Sequence, residues 1–224
     1  GSDDGLPSPR SSPRQGTQPR EEDAVGASLN MLMVAPTPAG LKTLTSTLQR
    51  GQLDLASFVE SDGPGALLDV IAEAGASSKK SAFQWELLSS SLSALKELLD
   101  TSAGASSVLA APRVASTIAS LLDERDARVR LKALEILCVL AVLHAGGDGG
   151  EAARSGHAIV EAALRRRGRL SLHQLLSVED DPACLLKALW LANSLVTLAP
   201  SNARARALRA EIAAGGWWSK VSER

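Results

Sequence analysis

The string Leu-Lys-x-Leu occurs four times along the chain and limits the possible folds more than any other feature. The copies begin at Leu41, Leu95, Leu131 and Leu186, with spacings of 54, 36 and 55 residues. Armadillo and HEAT repeats are about 40–47 residues long and contain two or three helices each. A leucine-rich chain can also produce such strings by chance, but an order of short, short and long helices accompanies them. The repeat therefore favours a stack of helical units.

Helical periodicity continues from Leu41 to near the end of the sequence. Leu88, Leu92, Leu95 and Leu99 lie on one face of a predicted helix over 82–99. Aromatic residues make up only 3% of the chain, which disfavours a β-sheet class. The predicted class is all-α, an armadillo/HEAT-like right-handed superhelix of about four repeats. Further helices are predicted at about 53–59, 66–74, 108–122 (as two short helices), 127–144, 151–166, 170–176, 182–198 and 202–214, with N-caps at Asp126 and Ser201-Asn202.

The first 28 residues differ in composition from the rest. They contain four of the ten prolines and almost no large apolar side chains. Such a segment buries too little surface to offset its chain entropy. We therefore predict a disordered leader over 1–28, in which Gly1-Ser2 is typical of a cloning scar, and an armadillo-repeat domain over 29–224.

Composition and motifs argue against several functional classes. The net charge is −1, so no global field attracts nucleic acid, and no apolar stretch reaches the length of a membrane span. Cys138 and Cys184 lie in apolar runs, as expected for core residues of a reduced, cytoplasmic protein. The three histidines have no metal-ligand spacing, and no nucleotide-binding or nucleophile motif lies between a strand and a helix. The sequence predicts a binding module that is not an enzyme and needs no metal or cofactor.

Two charged clusters leave alternatives open. Acidic residues precede two long helices, where they either complement the helix dipole or form a rim that steers a basic peptide. A run of arginines either ends a helix in solvent or meets an acidic lipid or peptide. The acidic residues are Asp123, Glu124 and Asp126, then Glu179, Asp180 and Asp181; the arginines are Arg165, Arg166, Arg167 and Arg169.

Five segments, in order, resemble the armadillo domain of formins, known as the diaphanous inhibitory domain. Together they cover about residues 41–221. Each Leu-rich match alone is weak, and the ordered set is more specific. The segments are 58–71 with its Phe and Leu-Leu-Asp, 94–104 with Leu-Lys-Glu-Leu-Leu, 122–137 with Ala-Leu-Glu-Ile-Leu, 188–197 with Asn-Ser-Leu-Val-Thr, and 208–216 with Leu-Arg-Ala-Glu.

This resemblance implies a function and partners. In formins the domain holds an amphipathic, basic helix from the C-terminus of the same protein and keeps the actin-nucleating half inactive, until a Rho-family GTPase releases it. The helix lies in a groove along the inner helices. The resemblance thus implies a cytoskeleton-associated protein, and Trp218 would mark contact with a following segment that forms a homodimer.

The resemblance also assigns site residues. Ser194 stands where the family has a small, groove-facing residue, with Asn193 and Thr197 beside it and Val139 as its counterpart one repeat earlier. Asp100 and Thr101 stand where the family has asparagines that face the GTPase. The alternative function is a generic armadillo scaffold or adaptor that binds other partners with the same face.

Overall fold

The computed structural model describes residues 21–77, 79–143, 155–166, 176 and 179–214. These residues form eleven α-helices and one 3-10 turn, which confirms the predicted all-α class. The helices are α1 Glu21–Val34, α2 Pro38–Gln49, α3 Leu55–Glu60, α4 Gly63–Ala76, α5 Ala82–Leu99, α6 Ser102–Ala110, α7 Val114–Ser120, α8 Ala127–Val142, α9 Gly156–Arg166, α10 Pro182–Thr197 and α11 Asn202–Ala213; the 3-10 turn Leu121–Asp123 follows α7.

Side-chain caps fix where the long helices begin. Ser81 and Gln84 form a reciprocal capping box at the start of α5. The predicted N-caps are confirmed at α8, where Asp126 accepts from the Arg128 N–H, and at α11, where Ser201 accepts from the Arg204 N–H. At α10, Asp181 accepts from two backbone N–H groups. These polar residues satisfy N–H groups that have no partner within the helix.

The inner layer is a row of four helices, α2, α5, α8 and α10, that pack against one another in that order. Each carries one copy of Leu-Lys-x-Leu, so the sequence repeat marks the inner layer. The leucines Leu41, Leu95 and Leu134 of this string are fully buried. Because side chains three apart lie on one helix face, the string turns most of its leucines toward the core, although Leu186 of the fourth copy is half-exposed.

The other helices form an outer layer behind this row. α1 packs on α4, α4 on α7 and α7 on α9, while α4 and α7 also contact the inner helices α5 and α8. The core lies between the layers and contains Phe58, Ile71 and Leu88 at 0% exposure. Two-layer stacking of this kind exposes the far side of the inner helices, where a partner can bind.

The structure corrects the predicted start of the domain. Residues 21–28 were predicted to be disordered but belong to α1, whose Val25 and Leu32 are buried. Residues 21–28 contain only one large apolar side chain, Val25, and the tertiary contacts of α1 with α3 and α4 stabilise them as part of the helix. The predicted boundary at residue 29 is therefore wrong, and residues 1–20 lie outside the described part.

Several other boundaries also differ from prediction. α4 begins at Gly63, before the expected residue 66, and α8 ends at Val142. The predicted helix over 170–176 falls almost wholly outside the described residues, as do Trp217 and Trp218. Among the described helices none alone is long and apolar enough to cross a membrane; Ser102–Ala110 and Val114–Asp123 pass that test only as a pair, which is bent by 84°.

Candidate functional site: the grooves of the inner layer

A groove of about 490 Å³ runs between α8 and α10 on the inner layer. We call it the α8–α10 groove. It brings together three of the four predicted peptide-binding residues, Val139, Asn193 and Ser194. Thr197 is exposed one turn further along α10 and does not line the groove. The remaining lining residues are Lys96, Glu135, Cys138, Val142, Lys187 and Trp190.

Large apolar side chains stay exposed in and beside this groove. Trp190 is 54% exposed and Val142 is 50% exposed, although both lie on helices whose other faces are buried in the core. Leu186 adds a further half-exposed side chain one turn before Trp190. Exposed apolar groups gathered in one concave place mark a binding surface. Sequence reasoning missed Trp190, even though its spacing from Ser194 places both on one helix face.

The tryptophan is held by a neighbouring cation. The Lys187 Nζ lies 4.4 Å from the centre of the Trp190 ring, a cation–π contact. The same lysine is 3.9 Å from Glu135 Oε1, and the Lys96 Nζ is 3.1 Å from Glu135 Oε2. The groove therefore combines an apolar anchor with a charged cluster at its edge.

The cysteines are both free thiols, as predicted. Burial raises the pKa of Cys184 to about 12 and that of Cys138 to about 11. Both thiols stay protonated near neutral pH, so neither is an activated nucleophile. Cys184 is a core residue as expected, whereas Cys138 is only partly buried and lines the α8–α10 groove.

A second groove of about 750 Å³ lies at the other end of the inner layer, between α2, α5 and α8. We call it the α2–α5–α8 groove. Its walls carry hydroxyl groups and cations, including Ser89, Ser93, Arg128 and Lys132. No sequence motif predicted this groove, because its walls come from three helices that are distant in the chain.

The predicted acidic rim is wrong for Glu124 and Glu179. The Glu179 side chain is 3% exposed and accepts from Arg130 at 2.7 and 2.8 Å. Glu124 Oε1 accepts from the Lys80 Nζ at 2.7 Å, and this pair is also largely buried. Their charges are neutralised inside the molecule, so these two carboxylates are not available to steer a peptide.

The other rim residues lie nearer the surface. Asp181 caps α10, and hydrogen bonds to its carboxylate, chiefly from the Cys184 N–H, lower its pKa. The structure therefore gives Asp181 the helix-capping role that was the alternative to a rim. Asp123 and Asp180 are exposed.

Asp100 and Thr101 lie together at the junction of α5 and α6. Asp100 is exposed, and Thr101 caps α6 by accepting from the Gly104 N–H at 3.1 Å. The Thr101 hydroxyl also donates to the Leu98 carbonyl at 2.8 Å. These local bonds explain why a hydroxyl stands at 101, and contact with a GTPase stays a prediction for both residues.

Arg165, the first residue of the arginine run, belongs to a polar network between α9 and α11. Arg165 pairs with Glu161 and Glu211, and Arg204 also contacts Glu161. The buried His157 Nε2 lies 2.8 Å from the Leu195 carbonyl oxygen. Arg166 is exposed, while Arg167, Arg169, His144 and His173 lie outside the described residues. In the described part of the chain no three His, Cys, Asp or Glu side chains are grouped to hold a metal ion.

Stacked helices with open grooves on the inner layer define a class, the helical-repeat proteins that bind other macromolecules. The sequence model of the Diaphanous GTPase-binding Domain matches residues 11–142, more than half of the chain. The chain therefore belongs to the Diaphanous GTPase-binding domain family. This confirms the resemblance to the regulatory region of formins. The matched part ends with α8, so α10 and its wall of the α8–α10 groove lie beyond it.

A solved structure also resembles the chain. It is Formin1 of E. histolytica, crystallised bound to EhRho1-GTPγS, and the TM-score is 0.70 at 12% sequence identity. The match covers 94% of this chain and 73% of that chain. At this identity the similarity shows the fold alone, and it confirms the armadillo-like arrangement. The curated proteins contain no significant match.

Proposed function

We propose that this chain is the regulatory binding module of a formin. It holds an amphipathic helix from the C-terminal part of its own protein in the α8–α10 groove, which keeps actin nucleation switched off. A Rho-family GTPase binds the module and releases the helix. The observation that carries this proposal is the exposed Trp190 beside Val139 and Ser194 in a groove of the inner layer.

The groove has the chemistry that helix recognition needs. An amphipathic helix places apolar side chains at i, i+3, i+4 and i+7 into such a trough. Tryptophan is among the residues that most often dominate binding energy, because burying its large ring removes much apolar surface from water. Ser194 and Asn193 are small polar neighbours that let a helix approach closely.

Family membership supports the GTPase as the second partner, and so does the nucleotide-loaded GTPase bound to the similar E. histolytica formin. Two ligands on one module are coupled when each alters the other's affinity, and the coupling is reciprocal. The inner helices can transmit this coupling, because α5 packs on α8 and α8 forms one wall of the helix groove.

GTPase binding is tested with Rho-family GTPases loaded with GTPγS or with GDP. We expect the chain to bind the GTPγS form at least tenfold more tightly, measured by isothermal titration calorimetry. Asp100→Lys with Thr101→Ala tests the predicted contact, with Asp69→Lys, at an exposed position of the outer helix α4, as control. Equal affinity of all tested GTPases for both nucleotide states would contradict this part of the proposal.

Ser194→Asp tests the helix groove. We expect at least tenfold weaker binding of the protein's own C-terminal tail, because a charge would be buried against apolar side chains. Fluorescence anisotropy measures the affinity, and circular dichroism should be unchanged. Ser106→Asp, at an exposed position of the outer helix α6, is the matched control. If both variants bind like the parent chain, the α8–α10 groove is not the helix site.

A generic scaffold or adaptor is the second candidate, and the separate α2–α5–α8 groove favours it, since one module would then offer two sites. Competition separates the two functions. A formin regulator should release the bound tail when the GTPγS-loaded GTPase is added, whereas an adaptor should bind its partners independently.

A further inference from the structure

Trp190 is a half-exposed aromatic residue in the α8–α10 groove, and a lysine covers part of its ring. The Lys187 Nζ lies 4.4 Å from the centre of that ring. Lys187 and Trp190 are three residues apart on α10, so their side chains lie on one face of the helix. The ring is 54% exposed, so the lysine leaves the rest of it open to the groove.

Glu135, on the α8 wall of the groove, holds this lysine. Its Oε1 atom is 3.9 Å from the Lys187 Nζ, and its Oε2 atom accepts a hydrogen bond from the Lys96 Nζ at 3.1 Å. The side chains of Glu135 and Lys187 are only 25% and 26% exposed, so salt and water screen their attraction less than at an open surface. The carboxylate is therefore fixed from α5 and keeps the Lys187 ammonium group beside the ring.

The backbone of Lys187 is also tied to the opposite wall. The Cys138 thiol donates to the Lys187 carbonyl oxygen at 3.6 Å, which joins α8 to α10 at this residue. The helices α8 and α10 pack against each other, so the start of the Lys187 side chain has a defined place relative to Glu135. Contacts at both ends of this side chain thus determine where its charge lies.

The orientation of the tryptophan ring matters for a partner that binds in the groove. An exposed tryptophan can rotate about two side-chain bonds, and a partner that immobilises it loses binding free energy with the lost rotamer freedom. A ring that is already held in one orientation avoids part of this loss. Val139 and Val142 line the same groove from α8, so the held ring and the two valines form an apolar seat before the partner arrives.

We propose that Lys187 and Glu135 are positioning residues for Trp190. They hold the indole ring in one orientation in the free chain, and the ring then accepts a large apolar side chain of the partner helix together with Val139 and Val142. This inference rests on the proposed helix-binding function. It assigns a role in that function to two charged residues for which no sequence motif indicated one.

A double-mutant cycle between Lys187 and Trp190 tests the positioning role. The probe is the fluorescently labelled C-terminal tail of the same protein, and fluorescence anisotropy gives its affinity. Lys187→Met keeps a long apolar side chain without the charge, and we expect about threefold to fivefold weaker binding, as for loss of a cation–π contact. In a Trp190→Leu background, which keeps an apolar side chain without the ring, Lys187→Met should have no further effect.

Conservative variants separate positioning from a general loss of charge. Lys187→Arg should bind the tail within about twofold of the parent chain, because a guanidinium group also stacks on an aromatic face. Glu135→Gln should weaken binding about twofold to threefold, because it loosens Lys187 without removing it. Lys79→Met, at an exposed position outside the groove, is the matched control and should bind like the parent. Thermal unfolding of each variant confirms that it is folded.

Fluorine NMR of the free chain, labelled with fluorotryptophan, measures the order of the ring without any partner. Trp190→Phe identifies the Trp190 signal by its loss. The parent chain should give one narrow signal for this residue. Lys187→Met and Glu135→Gln should shift or broaden the signal, because the ring then samples several orientations, whereas Lys79→Met should leave it unchanged.

The possible results separate the positioning role from the helix-binding function. Tail affinity that Lys187→Met does not change, or a loss that is equally large in the Trp190→Leu background, would overturn the positioning role and leave the groove as the helix site. An unchanged Trp190 signal in Lys187→Met would overturn it as well. A parent chain that does not bind the tail would contradict the helix-binding function itself, and the positioning role would fail with it.

Discussion

Glu179→Ala should lower the free energy of unfolding by about 3–5 kcal/mol, the usual cost of removing one partner from a buried ion pair. The Glu179 carboxylate accepts two hydrogen bonds from the Arg130 guanidinium, at 2.7 and 2.8 Å. It also accepts from the Asp181 N–H at 3.0 Å, which holds the capping residue of α10 in place. The substitution leaves a partly buried arginine without its counter-ion and loosens the start of an inner helix.

Urea unfolding followed by circular dichroism measures this effect. Asp69→Asn is the matched control, because the Arg113–Asp69 pair is 77% and 70% exposed and such pairs contribute about 1 kcal/mol or less. Arg130→Met with Glu179→Leu should recover much of the loss, since neither variant residue is charged. An effect of Glu179→Ala no larger than that of Asp69→Asn would show that the pair contributes little to stability.

This prediction changes how the acidic cluster before α10 should be tested. Reversing Glu179, Asp180 and Asp181 to lysine as a group would damage the fold and could be mistaken for weaker association. Charge reversal at the exposed Asp180 alone avoids the buried pair and keeps the question of steering separate from stability.

Gly156→Ala should destabilise the chain by about 3 kcal/mol, at the upper end of the usual cost of overpacking. A Cβ at this position would overlap the Leu140 carbonyl oxygen and would lie 2.8 Å from the Leu143 carbonyl oxygen. Both are backbone atoms at the end of α8, so neither can move aside by a rotamer change. The Gly156 N–H also donates to the Leu143 carbonyl at 2.9 Å, which ties the start of α9 to α8.

Gly26→Ala is the matched control, because a Cβ at Gly26 would meet nothing within 4 Å. Within α1 the alanine should be neutral or stabilise by about 0.5–1 kcal/mol, since glycine loses more backbone entropy in a helix. The midpoint of urea unfolding reports both changes. A Gly156→Ala variant as stable as the parent would mean that α8 and α9 are not in such close backbone contact.

The two proposed binding partners place different demands on the inner layer. The helix needs the apolar side chain of Trp190 and an uncrowded α8–α10 groove. Coupling to the GTPase needs a conformational change that is transmitted between the inner helices. Stability variants such as Glu179→Ala act on the start of α10 and should also lower helix affinity, even though Glu179 lines neither groove. Affinity should therefore be compared only among variants that remain folded.

The sequence by itself determined the helical class and the positions of the inner helices. Leucines at helical spacing specify which face of α5 or α8 is buried, and Asp126 and Ser201 specify where their helices begin, because these are local properties of a few neighbouring residues. The resemblance to formins added Val139, Asn193 and Ser194, and the structure places these three in one groove.

Only the tertiary structure decided which carboxylates are neutralised by partners inside the molecule. Glu124 and Glu179 are neutralised by residues 44 and 49 positions away in the chain, so no local pattern reveals their partners. Local patterns also do not reveal that residues 21–28 belong to α1, because packing against α3 and α4 stabilises them. Nor do they reveal which lysines face the grooves. Local periodicity gives the face that each helix buries, but the electrostatics of the binding surface depends on how the repeats stack.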